Sequence, residues 1–522
     1  MNQRLRALCD LSMGSAREYV GRHEYDGRIE DLSPGGVRSA LARVGDGPAT
    51  DDAHDEAHLA AFERLAHLEL GELELHRSNP LYHIAALDVS SYDREYAPAA
   101  ERAEARRRHL AAWPDAVDAA VEALDRVPAP VAASLLGAAK GLTADLEGSS
   151  EPQRGATVNR APGPSDPVVE RALAAHGRLV AHLEAAAEDG PPDAALGRVP
   201  LERLLGTGEA LEVDLGRLEE RADTERDRLR AVLDDACGRL GPGRPTAEVV
   251  DGLLGDHPDT GGVLSEAQGM TAESIAFTLD HDLVPGLDGD CLVAPAPPSR
   301  RWALAMMSWA APYEPDAPSR YYISPPDPAW PAEEQDDWLK VFSRTTLPAI
   351  TVHEVAPGHF AHGRRLRHLG SDVRRVLHSL SFVEGWAHYG EEVCLEEGFR
   401  AADPRFAAGV ALEALQRVTR LAVSIGTHAG TMTVADGAAR FEADAFCYGP
   451  AARAEAARAT FDPTYGRYTW GKLEILRLRE AARARWGSGF SLSRFHDALL
   501  GLGSPPLGLM PAALDHAEQL KG

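Results

Sequence analysis

Cysteine is scarce in this sequence, with five residues among 522. The five are far apart and odd in number, and no two of them have the close spacing of a paired metal motif. This scarcity excludes a disulfide framework and a cysteine-rich zinc module. We expect reduced thiols and a cytoplasmic protein. The positions are Cys9, Cys237, Cys291, Cys394 and Cys447.

Long apolar runs and an excess of basic residues are also missing. No stretch approaches about 18 consecutive apolar residues, so the sequence predicts no membrane-spanning helix. Residues 1–10 contain arginine but no apolar run as long as that of a signal peptide. The 54 Lys and Arg residues against 80 Asp and Glu residues leave a net charge of −26. That charge argues against nucleic acid or an anionic membrane as a partner.

Two common catalytic signatures are absent as well. The chain has no G-x-S-x-G elbow and no G-x-x-x-x-G-K-[ST] phosphate loop, which disfavours serine hydrolase and nucleotide chemistry. What remains is an ordinary globular composition, with 44% hydrophobic and 26% charged residues. Its length is sufficient for a large core and for two to four domains of ordinary size.

The pattern along the chain predicts a mainly α fold with at most one small β-sheet. Three regions follow from composition: an N-terminal helical region (1–145), a second helical region after a Gly- and Pro-rich loop (146–285), and a catalytic metal-binding helical region (286–522). We expect them to pack as one compact unit. The loop itself is Glu147–Pro167.

Apolar residues at helical spacing predict the individual helices. Trp113-Pro114-Asp115 is typical of a turn and predicts one helix ending near Ala112 and another beginning near Ala116. The segments 286–300 and 320–324 are the best strand candidates. The other predicted helices are Glu56–Leu75, Val168–Ala187, Leu211–Leu240, Glu333–Val352, Gly409–Gly426, Thr433–Cys447 and Tyr468–Trp486.

The strongest functional signal is the stretch HEVAPGH at 353–359. Its histidines, His353 and His359, offer imidazole ligands, and Glu354 directly follows the first of them. In many zinc hydrolases two histidines of one helix bind the metal and an adjacent glutamate activates a water molecule. The stretch therefore predicts a metal site with Glu354 as general base. The alternative is a helix with polar residues on a solvated face.

The spacing of these histidines requires a break in the helix. The common zinc motif places them four positions apart, whereas His359 follows His353 by six. On a regular helix, six residues turn the second ring roughly 240° away from the first. Pro357 removes a backbone donor and Gly358 relaxes the backbone, so we expect the interruption at this Pro-Gly pair.

A second stretch, SFVEGWAHY at 381–389, predicts another helix and supplies a third ligand. Glu384 follows His359 by 25 positions, which leaves room for a turn and a returning helix. Two histidines, one glutamate and an open position form a catalytic rather than a structural zinc set. The alternative for Glu384 is a helix cap or an ion pair.

Three further residues are candidates for orienting ligands or binding substrate. His388 and Glu391 lie four and seven positions after Glu384, on the same face of the predicted helix. His362 lies one helical turn past His359 and is a candidate for a further ligand, a ligand-orienting group or a substrate contact. A plain surface histidine remains the alternative for His362 and for His388.

HEVAPGH and EGWAHYGEE together resemble the bacterial family catalogued as domain of unknown function 885, a group similar to zincin metallopeptidases of the gluzincin type. The resemblance covers nearly the whole chain. Departures from the family pattern occur at Ser424, Thr464 and His362, where Asp, Gln and Gln are usual. The other similar segments are HEYDG at 23–27, DLSP at 31–34, Arg420, GTH at 426–428, YTWG at 468–471, Arg477 and Arg479.

The resemblance implies a large helical zincin-like body and roles for C-terminal residues. Tyr468 is expected to donate a hydrogen bond to a tetrahedral oxyanion. Arg420, His428, Arg477 and Arg479 are candidates for binding a substrate carboxylate, a group whose geometry an arginine fork matches. Structural alternatives stay open: Tyr468 as a core aromatic residue, and each arginine in a surface ion pair.

These observations predict a zinc-dependent hydrolase that cleaves a peptide or peptide-like amide bond. One Zn²⁺ per chain is expected on His353, His359 and Glu384, and such sites also accept cobalt or manganese. Two alternatives are a metal-dependent tailoring enzyme acting on a non-peptide amide or biosynthetic intermediate, and a non-catalytic helical binding or scaffold protein. The expected partner is a small peptide or peptide-like molecule. The sequence does not indicate an oligomeric state.

Overall fold

Helices make up most of this protein, beside one small sheet, and the mainly α class is confirmed. The computed structural model describes residues 1–144, 146, 166–297, 300–301, 303–314 and 317–519. The chain divides into two compact units. Unit 1 comprises Met1–Ala195, Pro297–Ala303 and Ala310–Ala317, and unit 2 comprises Leu196–Ala296, Leu304–Trp309 and Pro318–Gly522.

The division into units differs from the three predicted regions. The main boundary falls between Ala195 and Leu196, inside the region predicted as 146–285. Two short later segments also join unit 1, because contacts in space and not sequence order define a unit. Residues 147–165 of the predicted loop lie outside the described residues. Across the described chain, no helix is both long and apolar enough to cross a membrane.

Within its described residues, unit 1 consists of helices and the loops that join them. Its longest helices, α6 and α8, pack side by side, and α7 packs against α8. The helices are α1 (Gln3–Asp10), α2 (Met13–Ser15), α3 (Pro34–Leu41), α4 (Ala53–Ala66), α5 (Leu81–Leu87), α6 (Ala99–Ala123), α7 (Ala129–Gly141) and α8 (Pro167–Asp189).

The predicted turn at Trp113–Asp115 is wrong, because α6 runs through it without a break and contains Pro114. Proline removes one helical hydrogen bond, a cost that packing can offset. Trp113 supplies that packing, since its side chain is fully buried. The predicted helix at 56–75 is present as α4, which continues into a π-helical turn at His67–Glu72.

Unit 2 contains the other helices of the described chain. They are α9 (Arg198–Glu209), α10 (Leu215–Leu240), α11 (Thr246–Gly255), α12 (Thr260–Asp280), α13 (Ala332–Leu339), α14 (Leu347–Glu354), α15 (His359–Arg367), α16 (Asp372–Val376), α17 (Leu380–Glu396), α18 (Pro404–His428), α19 (Val434–Ala445), α20 (Gly449–Arg458), α21 (Arg467–Trp486), α22 (Leu492–Leu500) and α23 (Ala512–Gln519).

Five predicted helices are confirmed, with ends shifted by a few residues. The segment 168–187 is α8 of unit 1. The segments 211–240, 409–426, 433–447 and 468–486 are α10, α18, α19 and α21 of unit 2.

The single helix predicted over 333–352 is wrong. The chain forms α13 and then α14, with Ser343 between them accepting a hydrogen bond from the backbone N–H of Thr346 at 3.1 Å. Pro348 lies in the first turn of α14, where a missing N–H costs little. All eight residues of α14 are buried, so its apolar surface runs around the whole helix and gives no amphipathic period.

The small sheet belongs to unit 2 and has three strands in the order β1-β3-β2. The strands are β1 (Cys291–Pro295), β2 (Ala305–Ser308) and β3 (Ser319–Ile323). β1 pairs in parallel with β3, and β2 pairs with β3 in the antiparallel direction. Both predicted strand segments are confirmed, whereas β2 was not predicted.

A glycine pair lets α17 and α21 approach closely. A Cβ atom on Gly385 would lie 2.5 Å from the Cα of Gly471, and one on Gly471 would lie 1.9 Å from the carbonyl oxygen of Ser381. Only glycine fits at both positions. The contact fixes α21 against the helix that carries Glu384.

Substitution of this glycine pair should destabilise unit 2. We expect Gly385→Ala to lower the free energy of unfolding by about 1–3 kcal/mol, because the added methyl group overpacks a backbone contact. Chemical denaturation measures the change. Gly238→Ala is the matched control, since Gly238 lies in α10 with open space around the added atom. Equal stability of the two variants would contradict the close contact.

In unit 1, His23 bridges two carboxylates. Its Nδ1 lies 3.3 Å from Asp26 Oδ1 and its Nε2 lies 3.1 Å from Glu314 Oε1. The imidazole ring stacks on Tyr96, with ring centroids 3.9 Å apart. Burial lowers the pKa of His23, but the two carboxylates outweigh burial and raise it to about 9. The ring is therefore a cation at neutral pH.

The stability that this bridge contributes should depend on pH. The folded pKa of about 9 exceeds the ordinary 6.5, so the contribution is complete below about pH 6.5 and is lost as the pH rises through about 9. We expect the difference in melting temperature between wild type and His23→Gln to shrink between about pH 6 and pH 10. Scanning fluorimetry of both proteins measures it. A constant difference would contradict the raised pKa.

Candidate metal centre

The predicted helix break brings the two histidines together. α14 ends at Glu354 and α15 begins at His359, and the rings of His353 and His359 lie with centroids 4.8 Å apart. A Cβ atom at Gly358 would lie 1.8 Å from the carbonyl oxygen of His353, so the reversal between the two helices requires glycine. The prediction of an interruption at the Pro-Gly pair is confirmed.

Glu384 reaches both histidines from α17. Its Oε2 lies 3.5 Å from His353 Nε2 and 3.2 Å from His359 Nε2. α17 is tied to the helix break by Trp386, whose Nε1 donates a hydrogen bond to the carbonyl oxygen of Pro357 at 2.8 Å. The three predicted metal donors therefore lie together, with ligand atoms within 4.8 Å of one another.

The spacing of these donors fits a zinc ion. Tetrahedral zinc with bonds of about 2.0–2.1 Å holds its donors about 3.3–3.4 Å apart. The two distances from Glu384 Oε2 bracket that value. The Nδ1 atom of His359 is buried and has no hydrogen-bond partner among the described residues. Two imidazoles and one carboxylate form a donor set suited to zinc.

Glu391 orients His353 from behind. Its Oε1 lies 2.7 Å from His353 Nδ1, and its Oε2 accepts a hydrogen bond from Arg417 at 3.0 Å. Burial raises the pKa of Glu391, but the charges of Arg417 and the histidines outweigh burial and hold it well below the usual range. The carboxylate stays ionised and holds the His353 ring with its Nε2 toward Glu384.

The protonation of His353 reflects the carboxylates around it. Burial and the Arg417 charge lower the pKa of His353, and the contacts with Glu384 and Glu391 outweigh them and raise it to about 9. The Glu384 pKa moves the other way: burial raises it, but the two histidines draw it well below its usual value. The raised pKa means that His353 carries a proton at neutral pH in the absence of metal. A metal ion bound between His353 and Glu384 would displace that proton.

Glu354, the predicted general base, ends α14 beside the donors. Its side chain is buried and its Oε2 has no hydrogen-bond partner within the described chain. Burial raises the pKa of Glu354, while the charges of His359 and His353 oppose the increase. Burial raises the pKa of Tyr321 on β3, and the charge of the Glu354 carboxylate raises it further. β3 therefore lies near Glu354.

Tyr468, the predicted oxyanion donor, extends from α21 toward the same donors. Its ring lies 6.3 Å from the His353 ring, with the planes 25° apart. Burial raises the pKa of Tyr468 and the Glu384 carboxylate raises it further, so the hydroxyl is a neutral donor at physiological pH. Its side chain is buried next to His353, although 115 positions separate the two residues along the sequence.

His362 and His388 are placed beside the donor set but outside it. His362 is fully buried, its Nε2 lies 3.1 Å from Ser504 Oγ, and its ring lies 6.0 Å from that of Trp309. His388 is buried with its Nδ1 3.5 Å from Glu391 Oε1. Burial lowers the pKa of both to about 3, so both are neutral. Neither is the surface histidine of the alternative interpretation.

The four predicted carboxylate binders are placed differently. Arg479 is buried and donates two hydrogen bonds to Glu396, at 2.7 and 3.0 Å. Arg420 pairs with Glu455 through two hydrogen bonds and lies 5.3 Å from the centroid of the Tyr468 ring. His428 is buried at the end of α18, with its Nε2 2.7 Å from the carbonyl oxygen of Ala459. Arg477 has a side chain 59% exposed and pairs with Glu474. It follows Tyr468 by nine positions, about 13 Å along α21.

Arg417 is a site residue that the sequence analysis missed. It contacts both Glu391 and Glu413 from α18 and is buried. A buried glutamate requires a cation, so Glu391 predicts such a partner. The sequence offers several arginines within α18, and only packing selects Arg417.

The sequence profile of the family described as "Bacterial protein of unknown function (DUF885)" matches residues 15–514. The chain belongs to this family. The match covers nearly the whole chain and confirms the resemblance carried by HEVAPGH and EGWAHYGEE. No curated protein sequence matches the chain.

Two solved structures share the fold of this DUF885 protein. One is a "putative lipoprotein of unknown function" from Shewanella oneidensis, with a TM-score of 0.74, 20% identity and 97% of each chain covered. The other is a "putative lipoprotein" from Colwellia psychrerythraea, with a TM-score of 0.78, 18% identity, and 99% of this chain and 98% of that chain covered. At such identities the likeness shows the fold alone.

The prediction of a cytoplasmic location is wrong by this comparison. Each of these two structures is described as that of a "putative lipoprotein", a class of protein anchored to a membrane, and this description contradicts a cytoplasmic location. The prediction depended on scattered cysteines and on the composition of residues 1–10. Neither feature determines how a protein is attached to a membrane.

Proposed function

We propose that this protein is a zinc-dependent hydrolase that cleaves a peptide or peptide-like amide bond. The observation that carries the proposal is the convergence of His353, His359 and Glu384 from three helices, with a buried carboxylate, Glu354, directly after the first ligand. The broken helix and the donor set also support kinship with zincin peptidases of the gluzincin type.

The chain's own residues divide the chemistry between them. Zinc bound by the three donors would supply Lewis acidity toward the substrate carbonyl and a lowered pKa for a coordinated water. Glu354 takes the proton of the attacking water and delivers it to the leaving amine, a role suited to a carboxylate with a raised pKa. Tyr468 donates its hydroxyl hydrogen to the oxyanion.

The arrangement behind His353 supports its part in this proposal. Glu391 accepts from Nδ1, so Nε2 presents its lone pair to the metal position, and Arg417 holds Glu391 ionised. Histidine ligands in zinc sites ordinarily donate their second N–H to a carboxylate, which raises their basicity. The contact is therefore the one that a zinc ligand needs.

Two measurements on the purified protein test the proposal. Inductively coupled plasma mass spectrometry should find about one zinc per chain, and a library of short peptides should contain substrates whose cleavage stops on chelation and returns with zinc. Matched panels of non-peptide amides and esters separate peptidase from tailoring activity. Absence of metal after zinc is offered would overturn the proposal and favour a scaffold role.

Removing the carboxylate that orients His353 should weaken metal binding. We expect Glu391→Gln to reduce zinc affinity by about 10- to 100-fold, because a neutral amide is a weaker acceptor for Nδ1–H. Competition with a fluorescent chelator measures the change. Glu392→Gln, on the next residue of α17, is the control. An unchanged affinity would contradict the orienting role of Glu391.

A further inference from the structure

A group of arginines lies just beyond Tyr468 in unit 2. We call Arg420, Arg458 and Arg467 the arginine cluster. The guanidinium carbons of Arg420 and Arg458 lie 4.9 and 4.3 Å from the centroid of the Tyr465 ring, and that of Arg420 also lies 5.3 Å from the Tyr468 ring. Since Tyr468 itself faces His353, the cluster begins one aromatic ring away from the metal donors.

Arg420 uses only one side of its guanidinium fork within the protein. Its Nε and Nη2 donate to Glu455 at 2.8 and 2.9 Å. Within the described chain its Nη1 donates no hydrogen bond, although only 13% of the side chain is exposed. In this side-on pairing Nη1 lies on the far side of the guanidinium from Glu455. That edge retains the geometry to bind a second acceptor.

The cluster places three guanidinium groups near Tyr468. Glu455 pairs with Arg420, and Asp462 pairs with Arg458 and Arg467. Burial raises the pKa of Tyr468 and Glu384 raises it further, whereas the three arginines oppose them. Tyr468 therefore lies near both the Glu384 carboxylate and the three guanidinium groups, in a chain whose net charge is −26.

We propose that the arginine cluster binds a carboxylate of the substrate, which makes the substrate a peptide-like amide with a free carboxylate within about three residues of the scissile bond. The inference depends on the proposed function, since it concerns the same site. The ring distances of 6.3 Å from His353 to Tyr468 and 5.3 Å from Tyr468 to Arg420 place Arg420 at most about 12 Å from the His353 ring. One residue spans about 3.3–3.6 Å, so up to about three residues cover that distance. The carboxylate is the α-carboxylate of a C-terminal residue or an acidic side chain near the scissile amide.

Binding of matched peptides to the Glu354→Gln protein tests this inference without turnover. The probes are one set of short peptides prepared as free acids, as C-terminal amides, and as amides ending in aspartate, measured by isothermal titration calorimetry. We expect carboxylate-bearing peptides to bind about 10- to 100-fold more tightly than neutral amides, as charged hydrogen bonds do. Preference for the free acid identifies an α-carboxylate, and preference for the aspartyl amide identifies a side chain. Equal affinities, or no binding of any probe, would overturn the inference.

Variants assign the preference to the cluster. Arg420→Gln combined with Glu455→Gln removes the cation together with its partner, so no buried charge is left unpaired, and should reduce the acid-to-amide affinity ratio to about 1. Glu455→Gln alone and the exposed Arg477→Gln should keep the ratio. Because the ratio is internal to each protein, partial destabilisation does not imitate its loss. If the double variant does not fold, Arg458→Gln should lower the ratio several-fold. An unchanged ratio in every variant would overturn the inference.

The two proposals fail in different ways. If wild-type protein contains zinc and cleaves free acids and neutral amides equally well, the hydrolase function is supported and carboxylate recognition is refuted. Protein that has no zinc and no turnover but still prefers carboxylate-bearing peptides would refute the hydrolase function and support carboxylate recognition by the arginine cluster.

Discussion

Replacing Glu354 with glutamine is expected to lower kcat by about 10²- to 10⁴-fold while about one zinc per chain stays bound, the range that a general base contributes. Glu354 is buried beside the donors, and its Oε2 has no hydrogen-bond partner within the described residues. Glutamine preserves the shape of the side chain but cannot take up the proton of the attacking water. Cleavage kinetics and metal analysis of the same preparation measure both quantities.

A control separates the loss of the base from a general effect of losing one negative charge. Glu397 is exposed at the end of α17, so Glu397→Gln should keep full activity. Unchanged turnover in Glu354→Gln would rule out Glu354 as the base. A fall in turnover that accompanies loss of zinc would instead indicate that Glu354 supports the metal.

The double substitution His353→Ala, His359→Ala should remove the metal. Two of the three donors disappear, so we expect zinc to fall from about one per chain to less than about 0.1. Stability should fall with it, because a ligand present at about 1,000 times its Kd stabilises the folded state by about 4 kcal/mol. Metal analysis and scanning fluorimetry, with and without a chelator, measure these effects.

His362 provides the matched control for the double substitution. It is buried in α15 one turn after His359, and its Nε2 contacts Ser504. We expect His362→Gln to keep its zinc, since His362 is not among the three converging donors. Zinc retained in the double variant would refute the assigned ligands. Zinc lost in His362→Gln would make His362 part of the metal site.

Local patterns were sufficient to predict most of the helices. The apolar period of α10 and the Gly241 that ends it are properties of one short stretch, and both are present in the structure. Errors arose where packing outweighs a local signal. Pro114 is typical of a turn, yet buried Trp113 holds α6 together through it. α14 gives no amphipathic period because it is buried on every side.

The break between the histidines could also be predicted, because it depends on adjacent residues. Six positions on a regular helix point two rings apart, and Pro357 with Gly358 is the local means of reversing them. Glu384 could be predicted less directly, since its place depends on the 24 residues between it and His359 folding back to the same site. The structure brings its carboxylate to 3.2 Å from His359.

The sequence by itself determined which residue types the candidate site has and where its helix breaks, because both are set by neighbours along the chain. Tertiary structure decided which groups meet across helices. Arg417 contacts Glu391 from α18, and Tyr468 reaches His353 because Gly471 lets α21 lie against α17. Such pairings depend on how buried surfaces fit together, and residue spacing along one chain does not specify that fit.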